Sequence, residues 1–115
     1  MFPTMVELSE TIGRLTVSFH AQLIGSDWNV IISGGHLPHI GAVSLARPDT
    51  KCSTLCLPGH MEGELAEQIA STLANCANAT VCVICGIHLE AITQEEILSV
   101  NLIADKFISE FMAII

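Results

Sequence analysis

Four of the five histidines sit beside glycines where an apolar run stops: Gly34-Gly35-His36-Leu37-Pro38-His39-Ile40-Gly41, Pro58-Gly59-His60-Met61-Glu62 and Gly86-Ile87-His88-Leu89-Glu90. An imidazole at the end of a buried strand, next to a residue that lets backbone approach closely, can point into a shared cleft and there bind a metal, move protons or hold a ligand. His36 and His39, with His60, His88, Glu62 and Glu90, supply the residue types of a zinc or other transition-metal site, provided three or four of them converge. Sequence spacing does not enforce that convergence. The competing reading makes each a turn histidine bonded to nearby backbone. His20 differs, because it falls on the polar side of the alternating stretch Arg14 to Leu23 and reads as an ordinary strand residue.

Other constellations are weaker. Cys82-x-x-Cys85 looks like half of a metal or redox motif, but residues i and i+3 of a strand face opposite ways, so the two sulfurs cannot grip one ion. Cys52 and Cys56 would share a strand face roughly 13 Å apart, too far to bond. His60-x-Glu62 before a CxxC is superficially like the zinc nucleobase deaminases, yet no proline precedes Cys82 and the CxxC sits on a strand. Pro58-Gly59-His60-Met61 reads as a helix opening whose first amides could seat a phosphate or carboxylate, with Arg47 and Lys51 in a turn nearby in sequence. No GxGxxG, P-loop, GxSxG or HExxH is present.

The elements that must position these residues follow from periodicity. Residues 13–24 alternate as a strand, Gly25-Ser26-Asp27 turns, and residues 28–33 return as the second strand of a hairpin. Residues 42–46 and 52–57 read as a third and fourth strand, completing an antiparallel meander. Leu65, Ile69 and Leu73, with Ala66, Ala70 and Ala77, form the apolar stripe of a helix over about 62–76. Residues 80–87 are apolar without alternation and should form the central strand. Thr93 and Glu96 fit a capping box opening a helix from 94 nearly to residue 113. Its polar stripe is narrow, so a second apolar surface, most simply another copy of the chain, is expected to cover it. The expected fold is α+β, a mainly antiparallel sheet in the order ββββαβα with two helices packed on it.

With 115 residues, half of them hydrophobic, the chain suits a single domain spanning 1–115. Four Lys plus Arg against 12 Asp plus Glu give a net charge of −8, which repels phosphate backbones and makes nucleic acid and anionic membranes poor partners. Every apolar run is interrupted before the roughly 18–20 residues that span a bilayer. No basic region followed by an apolar core opens the sequence, and five cysteines without a framework spacing suit free thiols, so a cytoplasmic location is expected.

The ordered series Gly34-Gly35-x-x-Pro38-His39-Ile40-Gly41-Ala42-Val43, Gly59-His60-x-Glu62 and Gly86-Ile87-His88-x-Glu90-x-Ile92-Thr93 resembles the LpdD-like prenylated-flavin chaperones, the small D subunits of bacterial non-oxidative hydroxyarylic acid decarboxylases. The resemblance runs over about residues 8 to 112. It implies a fold related to the proteasome assembly chaperones and a non-catalytic role: binding prenylated FMN and delivering or maturing it for the large subunit, a UbiD-type decarboxylase. It also implies cofactor contacts from His39, His60, Glu62 and His88, with Gly34, Gly35, Gly59 and Gly86 shaping the backbone. Arg47 rests on the phosphate argument alone, and Trp28 with the Gly34-Gly35 edge would wall the flavin ring. A divalent metal on His39, His60 and His88 is the further expectation, with a homodimer or higher homo-oligomer as the assembly. Two rival readings remain: a small metal-dependent lyase or hydrolase with Glu62 or Glu90 as general base, and a protein-only assembly factor.

Overall fold

The computed structural model describes residues 3–59 and 62–115. Strand β2 (Leu15–Ile24) buries Leu15, Val17, Phe19 and Ala21 and exposes the residues between them, as its alternation requires. Ahead of it lies a strand that the periodicity did not lead us to expect, β1 (Met5–Ile12), joined through Gly13-Arg14 and paired antiparallel from Ile12↔Leu15 to Met5↔Gln22. Val6 and Leu8 point inward there, but Glu10 takes the next inward slot and breaks the apolar pattern; its carboxylate accepts from Lys106 Nζ at 2.8 Å. The β2–β3 hairpin, with β3 (Asp27–Gly35), forms as expected.

The meander does not continue. The sheet order is β1-β2-β3-β6-β4-β5, with β4 (Ala42–Ala46), β5 (Ser53–Cys56) and β6 (Val81–His88). Strand β6 lies parallel to β3 and antiparallel to β4, so the sheet is mixed rather than mainly antiparallel, and the element order is βββββαβα. The cause is β6 itself. Charge-free and rich in β-branched residues, it gains most from a slot hydrogen-bonded on both edges, and helix α1 (Gly63–Ala77) supplies the crossover that a parallel neighbour needs. The central placement expected for this segment therefore holds, at the expense of the β3–β4 contact.

Both helices pack on one face. Helix α1 lies against β4, β5 and β6, while α2 (Gln94–Ile114) lies against β1, β2 and α1. Phe19 meets Phe107 and Phe111 at ring-centroid distances of 5.5 and 5.4 Å, and Trp28 meets Phe111 edge-on at 4.9 Å. The Thr93/Glu96 capping box is formed, with Glu96 N donating to Thr93 Oγ1 and Thr93 N to Glu96 Oε1. Helix α1 opens at Gly63 with Glu62 as N-cap, and the anion site expected at Gly59-His60-Met61 falls on His60 and Met61, outside the described residues. Along α2, Phe111 is fully buried within the chain and Ile108 packs on the core, whereas Leu98 and Leu102 stay exposed. Among the described residues no helix is long and apolar enough to cross a membrane.

Cys82 and Cys85 point to opposite sides of β6, and all five cysteines are free thiols. Burial, with the Glu62 carboxylate adding to it, pushes the Cys85 thiol up to about 12. Labelling native protein with a chromogenic disulfide reagent should modify the exposed Cys56 and Cys76 first and Cys85 only on global unfolding. Prompt modification of Cys85 would contradict its inward placement.

Candidate functional site

With β6 between β3 and β4, the connection at 36–41 must cross the C-terminal end of β6, and glycines make the crossing possible. A Cβ on Gly86 would overlap the His39 carbonyl, one on Gly35 the His88 carbonyl, and one on Gly34 the Thr16 carbonyl. Gly35 also has a φ of 77°, which favours glycine. The crossing is stitched down by His36 N donating to His88 O at 2.7 Å and Gly41 N to Cys85 O at 2.9 Å. Gly59 differs: its φ is 80° but nothing would meet a Cβ there, so it shapes a turn and makes no close contact.

This crossing brings together histidines that lie far apart in sequence. The His39 ring places Nδ1 3.0 Å from the Leu37 carbonyl oxygen and Nε2 3.0 Å from Glu62 Oε1. The Leu37 carbonyl can only accept, so Nδ1 is the donor there, while Nε2 faces the Glu62 carboxylate. Glu62 is only 11% exposed and packs where a Gly41 side chain would stand, 2.5 Å from such a Cβ to Oε2. The His88 ring stands 6.5 Å from that of His39, edge to face, and its Nε2 is 3.1 Å from Glu90 Oε1. This second pair is far looser, with His88 45% and Glu90 80% exposed. One imidazole is fixed by a buried carboxylate; the other is paired with an exposed one.

Of the residues singled out by sequence, His39, Glu62, His88, Glu90, Gly34, Gly35 and Gly86 gather at this end of the sheet. His60 lies outside the described residues. His36 contributes its backbone amide while its side chain is exposed. Arg47 and Lys51 are at the other end of β4, where Ala46 is opposite Val81, seven residues or roughly 23 Å of strand from His88. Trp28 is also opposite Val81, so it and the histidines cannot wall one flavin ring. It lines instead a separate cavity of about 360 Å³ with Leu23, Cys76, Met112 and Ile115. Among the described residues no three His, Cys, Asp or Glu side chains converge as a metal site, because each imidazole faces its own carboxylate. The expectation of a divalent metal on His39, His60 and His88 finds no support among the described residues, of which His60 is not one.

Arg14 carries no signature that residue order reveals. From the β1–β2 turn its Nη2 donates to the Glu90 carbonyl at 2.7 Å and to Glu96 Oε1 at 2.8 Å, while Nε donates to Glu96 Oε2 at 2.6 Å. This fork pins the turn after β6, where Ala91 adopts a φ of 50°, a left-handed conformation that costs a non-glycine residue energy. The basic side chain beside the histidines is thus Arg14 and not Arg47. A turn residue 76 positions from its acceptor leaves no local pattern to read.

A family model described as the prenylated flavin chaperone LpdD-like domain matches residues 11–115, a span that holds Arg14, His39, Glu62 and His88. The chain belongs to this family. It is also 28% identical over 81 residues to Protein LpdD of Lactiplantibacillus plantarum, an alignment covering 66% of this chain. The chain spans 60% of the length of that relative. The family match leaves out most of β1 and includes every element that builds the histidine cluster.

The Arg14 hydrogen bonds, aided by the Thr93 amide, hold the Glu96 carboxyl well below its ordinary 4.5, at about 2. A carboxylate depressed by folding stabilises the fold above its unfolded value, and that contribution is lost as the pH falls from about 4.5 toward 2. Thermal melts across this window should therefore fall more steeply for the wild type than for Arg14→Gln. Parallel curves would mean that the fork contributes nothing to stability.

Proposed function

We propose that the chain binds prenylated FMN at the His39–Glu62–His88 end of the sheet and passes it, in the cytoplasm, to a UbiD-type decarboxylase large subunit. Family membership supports the ligand class. The observation that carries the reading is the unequal pair of imidazoles: His39 fixed by buried Glu62, His88 held only by exposed Glu90. A flavin phosphate needs donors, and His88 can supply one by exchanging Glu90 for it, a cheap exchange because exposed ion pairs are worth about 0–1 kcal/mol. His39 would keep its place and present an ordered edge. Leu37 and Ile40, exposed on the same crossing loop, offer apolar surface for the ring.

The residues present thus fit the group in kind: a donor for the phosphate, apolar side chains for the ring, and glycine-permitted backbone that allows close approach. When bound, the flavin would bring the electron-sink chemistry, which belongs to the decarboxylase. This chain's own residues bind and orient. An exposed anchor also suits a carrier, whose cargo must leave. Five cysteines, an odd count without a framework spacing, support a reducing compartment.

Titration with prenylated FMN and with plain FMN tests this. His88→Ala should weaken binding about tenfold to a hundredfold, the worth of a charge-assisted hydrogen bond of roughly 1.5–3 kcal/mol, with the melting temperature unchanged. Glu90→Gln should tighten binding, since it removes the competing charge. His39→Ala should instead lower stability by about 1–3 kcal/mol, because it takes a hydrogen bond from the buried Glu62 carboxylate. If the wild type binds neither flavin, or if His88→Ala binds as the wild type does, the proposed site is wrong.

A further inference from the structure

At the end of the sheet opposite the histidines, the two helices leave a gap. The last turn of α1 packs with Ala74 and Ala77, side chains too short to fill the space beside α2, and Asn78 then turns the chain away with a φ of 51°. What remains is a cavity of about 360 Å³, walled by Leu23, Trp28, Met112 and Ile115. Ser26 and Cys76, both exposed, stand at its mouth. Room for roughly a dozen non-hydrogen atoms, at about 30 Å³ each, far exceeds the voids that packed interiors leave and falls in the lower range of small-molecule sites.

The field in this cavity has one sign. Among the described residues its lining contains no Asp, Glu, Lys or Arg. Helix α1 ends against it, its last carbonyls carrying the negative end of the helix dipole with no basic side chain in that turn to offset them. Asp27, next to Ser26 in the β2–β3 turn, adds a carboxylate at the rim, where its Oδ1 accepts from the Thr80 amide at 3.0 Å just past the end of α1. The basic turn with Arg47 and Lys51 lies on the far flank of α1. There Asp49 N donates to Asn75 Oδ1 at 2.9 Å, beside β4, which is two strands or roughly 10 Å across the sheet from β3.

We propose that this cavity is a second binding site, for a small amine carried on an aromatic or branched apolar body. The apolar walls take the body, and the end of α1 together with Asp27 takes the ammonium head. An anion meets the opposite conditions: a negative dipole end, a carboxylate at the rim and a chain of net charge −8. That separates this ligand class from a flavin phosphate. Trp28 and His88 stand seven residues apart along the paired strands β3 and β6, roughly 23 Å, so the two sites do not overlap and the proposal does not rest on flavin binding.

Trp28 is the single tryptophan of the chain, so its emission reports on this cavity. Titrated with phenylbutylamine, the wild type should show a saturable change in that emission. Binding should be roughly three- to thirtyfold tighter than for phenylbutyrate, the summed effect of one helix end on two opposite charges. Butylamine, a cation without the ring, should produce no change. At saturating phenylbutylamine the alkylation of Cys76 should slow, while that of exposed Cys56, at the histidine end of the sheet, keeps its rate. Ala77→Leu, which fills the cavity from α1, should weaken binding about tenfold or more with a cooperative melt retained. Unchanged emission, equally tight binding of phenylbutyrate, an emission change with butylamine alone, undiminished alkylation of Cys76, or wild-type binding by folded Ala77→Leu would each overturn the proposal.

Discussion

The passage of the His39 carbonyl across the face of Gly86 is the contact on which the rest of the molecule depends. It exists because β6 occupies the slot between β3 and β4, so the six-residue connection at 36–41 has to cross a strand end at van der Waals distance. Any side chain at position 86 would hold the loop off the sheet. His39 would then lose its reach to Glu62, and the hydrogen bonds from His36 N and Gly41 N to the strand would open. Fold and site are here one constraint.

Electrostatically the cluster is balanced locally in an acidic chain. Each imidazole has a carboxylate, and Arg14 neutralises Glu96 while holding the Glu90 backbone, so charge that would repel an anionic ligand is partly spent inside the cluster. The two pairs differ in burial rather than in chemistry. That difference sets an imidazole fixed by a buried carboxylate beside one paired only in solvent.

Much of this was legible from residue order. Alternation in β2, the helical stripe of α1, the Thr93/Glu96 box and the central character of β6 all arise from local periodicity and survive in the structure. Gathering His39, Glu62 and His88 was readable as an expectation because each ends or follows an apolar element beside glycine. What could not be read was non-local. Glu10 hid β1 by filling an inward slot with a charge that only Lys106, 96 residues away, explains. The parallel β3–β6 pairing was masked because a loop of six residues suggests a hairpin neighbour, and the crossover through α1 overrides that suggestion. Arg47 and Trp28 have the chemistry of a flavin site, but strand direction puts both at the end of the sheet opposite His88.

The parallel pair joins Trp28 to Val81 and Gly35 to His88, partners 53 residues apart, and every member of the cluster hangs from it. Closing so long a segment costs chain entropy that local hairpins do not. A chain that had formed β1, β2, β3 and even α1, but not yet seated β6, would own all the residues of the cluster and none of its geometry. On the binding role proposed above, loading would select the molecules that have finished folding.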